Sequence, residues 1–268
     1  MSFLTYTFIQ KALLMALFSG ATCGALGVFI VLWRIGFMGI CISHAAFAGA
    51  LLSLWVGLSP VAGAVAASLG AAAIAGPMAD KPTFTPDTAI SIIFSVMLSL
   101  AMLALGMLPA TKVEGLNFLW GNLLTATYWD IALMTLCSIV LVTFIALFFK
   151  EIEATISQRQ AAEASGIPTK AIYYVSLCLM GLIVAISLKA IGGMLIYALM
   201  VTPAATALQI CRTLKQTFWF SAVCGALSSV LGLWVAYLTG IPTGVAVVLC
   251  ATAFLLIAFQ VSPKKRDC

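Results

Sequence analysis

Apolar residues fill the chain in runs of about twenty, separated by short polar connections. A helix of that length crosses the hydrocarbon core of a bilayer, which needs about 20 apolar residues. The runs lie at roughly 10–32, 37–57, 60–78, 88–109, 128–149, 171–191, 193–211, 216–238 and 242–260. The pattern predicts an all-α, polytopic membrane helix bundle of about eight or nine transmembrane helices. The seventh run is expected to be bent or partly re-entrant, because Gly192, Gly193 and Pro203 interrupt it.

One long polar segment, Lys150 to Lys170, interrupts the apolar pattern and carries six of the charged residues. It cannot lie in the bilayer core, where unpaired charges and backbone dipoles are costly. Its alanines favour a helix, and Gly166 and Pro168 form a stop signal. We therefore predict a short amphipathic helix in water between two spans, which a partner protein would bind.

The composition indicates a single transmembrane domain over residues 1–268. Of the 268 residues, 63% are hydrophobic and 8% are charged, which leaves no room for a soluble domain. The first apolar run is longer than that of a usual signal peptide and is taken as the first span. The eight cysteines show no disulfide spacing and are expected to be small buried apolar residues.

The basic residues predict the orientation in the membrane. With the polar segment in the cytoplasm, nine spans put the N-terminus outside and the C-terminus inside. The basic residues outside are then Lys11, Lys112 and Lys189. The basic residues inside are Arg34, Lys81, Lys150, Arg159, Lys170, Arg212, Lys215, Lys264, Lys265 and Arg266. This excess follows the positive-inside rule, so the net charge of +5 reflects topology and not nucleic-acid binding.

The only histidine, His44, lies inside the second span, three residues after Cys41. An ionisable side chain at this depth is expected to face a polar cavity or a ligand. Residues three apart share a helix face, so imidazole and thiolate could both contact one Zn²⁺ ion. The alternative is a neutral histidine that is hydrogen-bonded to a neighbouring helix, beside an inert cysteine.

The sequence contains none of the common motifs for catalysis or nucleotide binding. It contains no nucleotide-binding P-loop, GxSxG, HExxH or paired intramembrane carboxylates, so we do not expect an enzyme. Lys189 lies near a span end and can extend to the interface, although a role in a transport path stays open. Asp87 begins the fourth span, where a helix N-terminus favours an acid.

Five segments resemble, in order and spacing, the membrane permease subunit of the ABC-type zinc/manganese importers, the ABC-3 family of metal ion importers. They are WRIGFMGICISHAAFAGALL, LNFLWGNLL, TISQRQAAEASGIP, LKAIGGMLIYALMVTPAATALQI and TGIPTGVAVVLC. No single segment is decisive, but the ordered set is specific and covers nearly the whole chain.

The resemblance implies a type II ABC importer fold, in which two permease copies form the pathway. It implies an ABC ATPase subunit, which uses ATP and Mg²⁺, an extracytoplasmic metal-binding protein and a transported divalent metal. This subunit itself is expected to bind no cofactor. Membrane lipid is a further expected partner and nucleic acid is not, and the expected location is the plasma (inner) membrane of a prokaryote.

Under the resemblance, residues 155–166 are the cytoplasmic coupling helix, seated in a groove of the ATPase. The residues expected at that contact are Thr155, Ser157, Gln160, Ala161, Ala164 and Gly166. Pro203 is a candidate flex point, because a proline breaks the backbone hydrogen bonding of a helix.

The chain departs from the family pattern at two positions. Ile40 stands where the family commonly has an aspartate, four residues before the motif histidine. The acid common near the start of the coupling helix is replaced by Gln158 or Arg159. Loss of a carboxylate removes a hard oxygen ligand, which favours zinc over manganese or iron as the cargo. An importer of a metal chelate or a softer metal, and a non-transporting scaffold of the same fold, stay open as alternatives.

Overall fold

The computed structural model describes residues 7–79, 86–107, 118 and 120–262. Within these residues nearly all of the backbone is helical and no strand occurs. Outside them lie five of the basic residues that entered the orientation argument: Lys81, Lys112, Lys264, Lys265 and Arg266.

The described residues form eleven α-helices, nine long and apolar and two short and polar. The long helices are α1 Thr7–Leu32, α2 Gly36–Val56, α3 Pro60–Ala79, α4 Pro86–Met107, α5 Tyr128–Leu147, α8 Thr169–Ile191, α9 Gly193–Ile210, α10 Leu214–Thr239 and α11 Thr243–Val261. The short helices are α6 Phe149–Ser157 and α7 Arg159–Ala164. A 3-10 helix, Leu123–Thr125, precedes α5.

Each of the nine predicted apolar runs forms one helix, with bounds that differ from the prediction by a few residues. Eight of these helices have at least 18 residues and are apolar enough to cross a membrane. In the ninth, α9, the apolar stretch Leu195–Ile210 is shorter. The predicted all-α membrane bundle of about eight or nine helices is therefore confirmed.

The irregularity predicted in the seventh run lies at Gly192, between α8 and α9. Gly192 has φ +92°, a backbone conformation that glycine adopts without strain. Pro203 lies inside α9, and the helix continues past it to Ile210. The run is thus a separate helix that begins immediately after a one-residue break.

The interior of the bundle is built around α1, α2 and α8, which are buried over most of their length. By contrast, α4, α5 and α11 bury less than a third of their apolar length. In a membrane, such faces meet lipid tails or another subunit, because the surrounding solvent is apolar.

Small residues bring α1 and α10 into backbone contact. A Cβ atom at Gly20 or at Gly225 would collide with the backbone of the other residue. One turn away, the Ser221 hydroxyl donates a 2.6 Å hydrogen bond to the Gly24 carbonyl. Packing and hydrogen bonds of this kind drive helix association in lipid, where the hydrophobic effect contributes little.

The helix α1 ends in a Schellman motif whose left-handed residue is Arg34 and not a glycine. The Arg34 N–H donates to the Val31 carbonyl (3.3 Å), and the Ile35 N–H donates to the Ile30 carbonyl (3.1 Å). Among the described non-glycine residues, only Arg34 has a positive φ, of +58°. This conformation costs an L-residue about 1 kcal/mol, so the junction between α1 and α2 is strained.

We expect Arg34→Gly to raise the melting temperature of the detergent-solubilised protein. Glycine adopts this φ without the steric cost, for a net gain of about 0.5 kcal/mol after its larger chain entropy in the unfolded state. Arg34→Ala removes the same charge and keeps the strain, so it is the matched control and should not raise Tm. Thermal unfolding followed by size-exclusion chromatography measures both, and equal Tm values would contradict a strained junction.

Candidate metal pathway and coupling segment

His44 lies in the first half of α2, and its side chain is half-buried. The imidazole Nδ1 is 3.0 Å from the carbonyl oxygen of Ile40, one turn earlier in the same helix. A carbonyl oxygen only accepts, so Nδ1 carries the proton and Nε2 keeps the lone pair with which a neutral histidine binds metal. The Phe94 ring of α4 packs edge-on against the imidazole, with 5.0 Å between ring centroids. The backbone of α2 and the ring from α4 together orient this side chain.

Cys41 lies one turn before His44 and is completely buried. The seven described cysteines are all unbridged, and five of them are buried. Within the described part of the chain, no three His, Cys, Asp or Glu side chains are grouped so that they could hold a metal ion. An ion at His44 would therefore complete its coordination with water, backbone oxygens or another subunit.

Three serines lie along one outward face of α4, beside Phe94, the residue of that helix that contacts His44. Ser91, Ser95 and Ser99 succeed one another at intervals of about one turn. Each hydroxyl donates to the carbonyl four residues earlier, at 2.6–2.9 Å. Phe94, which touches His44, is one turn from Ser91. A row of hydroxyls on an outward membrane face is typical of a face toward another helix or a polar path.

The polar segment forms two short helices instead of one. α6 ends at Ser157 and α7 begins at Arg159, and Gln158 between them has a non-helical backbone, with φ −152° and ψ 84°. The helix predicted over 155–166 therefore corresponds to the end of α6, the break and all of α7. Gly166 has φ +83° and follows the end of α7, where the sequence placed the stop signal.

Five of the six residues expected at the ATPase contact are exposed: Ser157, Gln160, Ala161, Ala164 and Gly166. The sixth, Thr155, is buried, and its hydroxyl donates a 2.7 Å hydrogen bond to the Glu151 carbonyl. Ile152 of α6 and Ala162 of α7 are also buried and attach the segment to the bundle. The segment thus has one face on the bundle and an outward face of small and polar side chains.

Charges and hydroxyls join α7 to the start of α8. The Thr169 hydroxyl donates a 2.6 Å hydrogen bond to Glu163 Oε1, and Arg159 Nε lies 3.5 Å from the same oxygen. The hydrogen bond from Thr169 and the positive charge of Arg159 lower the pKa of Glu163. Glu163 is therefore ionised at neutral pH and holds both partners.

At the opposite end of the bundle, Lys189 of α8 pairs with Asp130 of α5. Lys189 Nζ is 2.8 Å from Asp130 Oδ2. The same carboxylate accepts from the N–H and the hydroxyl of Thr127, which forms a capping box on α5. From the sequence alone, Lys189 is explained by its nearness to the interface, and Asp130 is not singled out. The available signal was that both charges fall on the same membrane face in the predicted topology.

The connection before α5 lies over the break between α8 and α9. The Asn122 N–H donates to the Lys189 carbonyl at 3.2 Å. A Cβ atom at Gly121 would collide with the Ile191 backbone, and one at Gly244 of α11 would press on the Ile191 carbonyl. Backbone from the connection and from α11 therefore packs closely around the break between α8 and α9.

Pro203, the candidate flex point, is buried within α9. It has no N–H, so the Leu199 carbonyl lacks its usual helical partner. α9 approaches α1 closely nearby, because a Cβ atom at Gly27 would collide with the Met200 carbonyl. A bend at Pro203 would therefore move α9 against α1.

The nine apolar helices of the described residues, with a half-buried histidine in α2 and a polar segment at one end, define a multi-span membrane protein. The chain matches the ABC 3 transport family over residues 5–262 and belongs to that family. It is thus a membrane permease subunit of an ABC transporter and not an enzyme, since ATP hydrolysis resides in a separate subunit.

The similarity to individual proteins extends over nearly the full chain. The manganese transport system membrane protein MntC of Listeria monocytogenes is 32% identical over 97% of this chain and 92% of its own length. The high-affinity zinc uptake system membrane protein ZnuB of Haemophilus influenzae is 28% identical over 94% of this chain and 96% of its own length. A chain in the solved structure of PsaBC from Streptococcus pneumoniae in complex with Fab is 33% identical, with a TM-score of 0.89, and 99% of this chain and 95% of that chain are covered.

Proposed function

We propose that the chain is the permease of an importer that moves a divalent transition metal, first of all zinc, into the cytoplasm. The observation that carries the proposal is His44, an imidazole with an unprotonated Nε2 within a span, beside a face that bears hydroxyls. In the part of the chain that the structure describes, too few ligands are grouped for a closed site, and weak binding lets an ion move on. The names of MntC and ZnuB support a metal cargo.

The side chains near the histidine favour zinc. Ile40 lies one turn before His44 on the same helix face and offers no side-chain oxygen. Imidazole suits Zn²⁺, whereas Mn²⁺ prefers carboxylate and water oxygens. Manganese is the second candidate, because the relative MntC is named for manganese transport.

The serine-bearing face of α4 supplies a wall for the pathway. α4 is poorly buried within one subunit, and we assign its cover to a second copy of the permease. The metal then passes between the two copies, along Ser91, Ser95 and Ser99 and beside His44. Hydroxyl and water oxygens along this wall replace part of the hydration shell of the ion.

The segment α6–α7 is assigned to the cytoplasmic side, with the N-terminus outside and the C-terminus inside. In this orientation the end that carries Asp130 and Lys189 faces outward and receives metal from the extracytoplasmic binding protein. The outward face of α6 and α7 contacts the ATPase, which uses ATP and Mg²⁺. Ala161 and Ala164 on that face allow the ATPase surface to approach closely.

The test is the metal content of cells that make this chain together with its ATPase and binding protein. Zinc, manganese, iron, nickel and copper are measured in parallel, against cells whose ATPase cannot hydrolyse ATP. Zinc accumulation that requires hydrolysis supports the proposal, and manganese accumulation selects the second candidate. If no metal responds, the cargo is not a free metal ion, and the chelate importer and the scaffold become the better interpretations.

We expect Ala161→Trp to lower metal uptake about ten-fold and to reduce the amount of ATPase that co-purifies with the permease. A bulky ring in a close-packed contact costs about 1–3 kcal/mol, which corresponds to roughly five- to 150-fold in affinity. Ala171→Trp, at an exposed alanine in the first turn of α8, is the matched control and should keep most of the uptake. Equal losses in the two variants would argue against an ATPase contact centred on α7.

A further inference from the structure

Side chains from three helices of the bundle and from the polar segment form a continuous series of contacts, which we call the aromatic chain: Arg159, Tyr173, Trp33, Phe29 and Phe218. The Arg159 guanidinium carbon of α7 lies 5.4 Å from the centroid of the Tyr173 ring of α8. Tyr173 contacts Trp33 at the end of α1, Trp33 contacts Phe29, and Phe29 contacts Phe218 of α10. Each of these three pairs of ring centroids is 5.1 Å apart. The aromatic chain therefore connects α7 to α10 through α8 and α1.

Three of the four rings of the aromatic chain are firmly packed, and the fourth, Trp33, is half-buried. Phe29 is completely buried, and Tyr173 and Phe218 are nearly so. Packed interiors change between discrete arrangements instead of deforming gradually. A displacement of α7 is therefore expected to shift the rings together and to reach α1 and α10.

Two unfavourable features coincide at the middle of the aromatic chain. The Trp33 Nε1–H is buried and has no hydrogen-bond partner among the residues that the structure describes. The next residue, Arg34, has the left-handed backbone described above. An unsatisfied buried donor and a strained backbone at adjacent residues store strain, and such strain clusters at switch regions. The α1–α2 junction is thus the place where a small displacement can change the packing.

We propose that Tyr173 and Trp33 are positioning residues that convert movement of the ATPase-bound segment into movement of α1 and α10. The proposal rests on the proposed function, because it requires α6–α7 to be the ATPase contact. Arg159 is suited to the first step, since it contacts both Tyr173 and Glu163. The last step uses the extensive packing of α1 on α10, which lets the two helices move as one body.

The test compares metal transport with ATP hydrolysis in proteoliposomes that contain the permease, its ATPase and its binding protein. In Trp33→Leu and Tyr173→Leu, ATP hydrolysis should stay within about two-fold of wild type, while the metal moved per ATP falls about ten-fold. Tyr173→Phe keeps the ring and should restore the ratio. Trp219→Leu is the matched control, because Trp219 is 69% exposed on α10 and lies outside the aromatic chain.

Loss of folding is separated from loss of coupling by the assembly state of each variant. Size-exclusion chromatography must show intact complexes before the ratio is interpreted. In intact complexes, an unchanged ratio in both Leu variants, or an equal fall of hydrolysis and transport, overturns the proposal. If a Leu variant fails to assemble, the aromatic chain is tested with Trp33→Phe instead, by the fluorescence measurement described next.

A second measurement does not depend on the cargo. ATP with vanadate should change the tryptophan fluorescence of the complete complex, because the half-buried Trp33 indole changes its surroundings. The change should be lost in Trp33→Phe and kept in Trp219→Phe. If the wild-type complex hydrolyses ATP and moves no metal, the proposed cargo is wrong. The fluorescence change still tests whether the aromatic chain moves during the ATPase cycle. A signal that Trp33→Phe leaves unchanged overturns the role of Trp33.

Discussion

Replacing His44 with alanine should lower zinc accumulation at least ten-fold in cells that carry the complete transporter. The substitution removes the only imidazole of the chain and with it the Nε2 lone pair. Loss of one group that holds or orients a metal typically costs about 10–100-fold in affinity or activity. Cys41→Ala should have little effect, because the thiol is completely buried and packs as an apolar side chain. Metal content of the cells, normalised to permease in the membrane, gives the comparison.

The companion variant Ile40→Asp tests the choice of metal. It places a carboxylate one turn before His44, on the same helix face, and should raise manganese uptake relative to zinc uptake. Normal zinc uptake in His44→Ala would remove the histidine from the pathway. An unchanged metal preference in Ile40→Asp would mean that the selectivity lies elsewhere.

Replacing Gly225 with leucine should leave almost no assembled permease. Its Cβ would collide with the carbonyl of Gly20 on α1, and both atoms belong to helices that other helices hold in place. Overpacking of flexible side chains costs about 1–3 kcal/mol, and a collision with backbone is expected to exceed that range. Since proteins are stable by only about 5–15 kcal/mol, the loss is large. Fluorescence-detected size-exclusion chromatography of detergent extracts measures the amount of assembled protein.

The matched control for this substitution is Gly70→Leu. A Cβ atom at Gly70 of α3 would meet nothing within 4 Å, so the same change should leave the yield of assembled protein near wild type. Both substitutions exchange a helical glycine for leucine, and their helix propensities change alike. A folded Gly225→Leu protein would show that α1 and α10 can separate without loss of structure.

The helical spans could be predicted from the sequence because the bilayer fixes their length. Even the break at Gly192 was signalled by two adjacent glycines at 192 and 193. The break at Gln158 was not, since no glycine or proline stands there. The non-helical Gln158 separates α6, which buries Ile152, from α7, which buries Ala162. Tertiary packing, and not local propensity, ends that helix.

The site could be predicted only in part. Its position in a span was enough to single out His44, because an ionisable side chain is costly at that depth and is usually functional. The proton on Nδ1 and the contact with Phe94 depend on coordinates. The pair Asp130 and Lys189 could not be derived from periodicity, because 59 residues separate the two side chains.

The serine hydroxyls of α4 determine whether their face attracts cations or anions. Each hydroxyl hydrogen is committed to a carbonyl of its own helix. What these hydroxyls present outward is therefore oxygen lone pairs, which attract positive charge and the hydrogens of water and repel negative charge. A hydrated cation finds acceptors for its water shell along this face, whereas an anion finds no hydroxyl donor there.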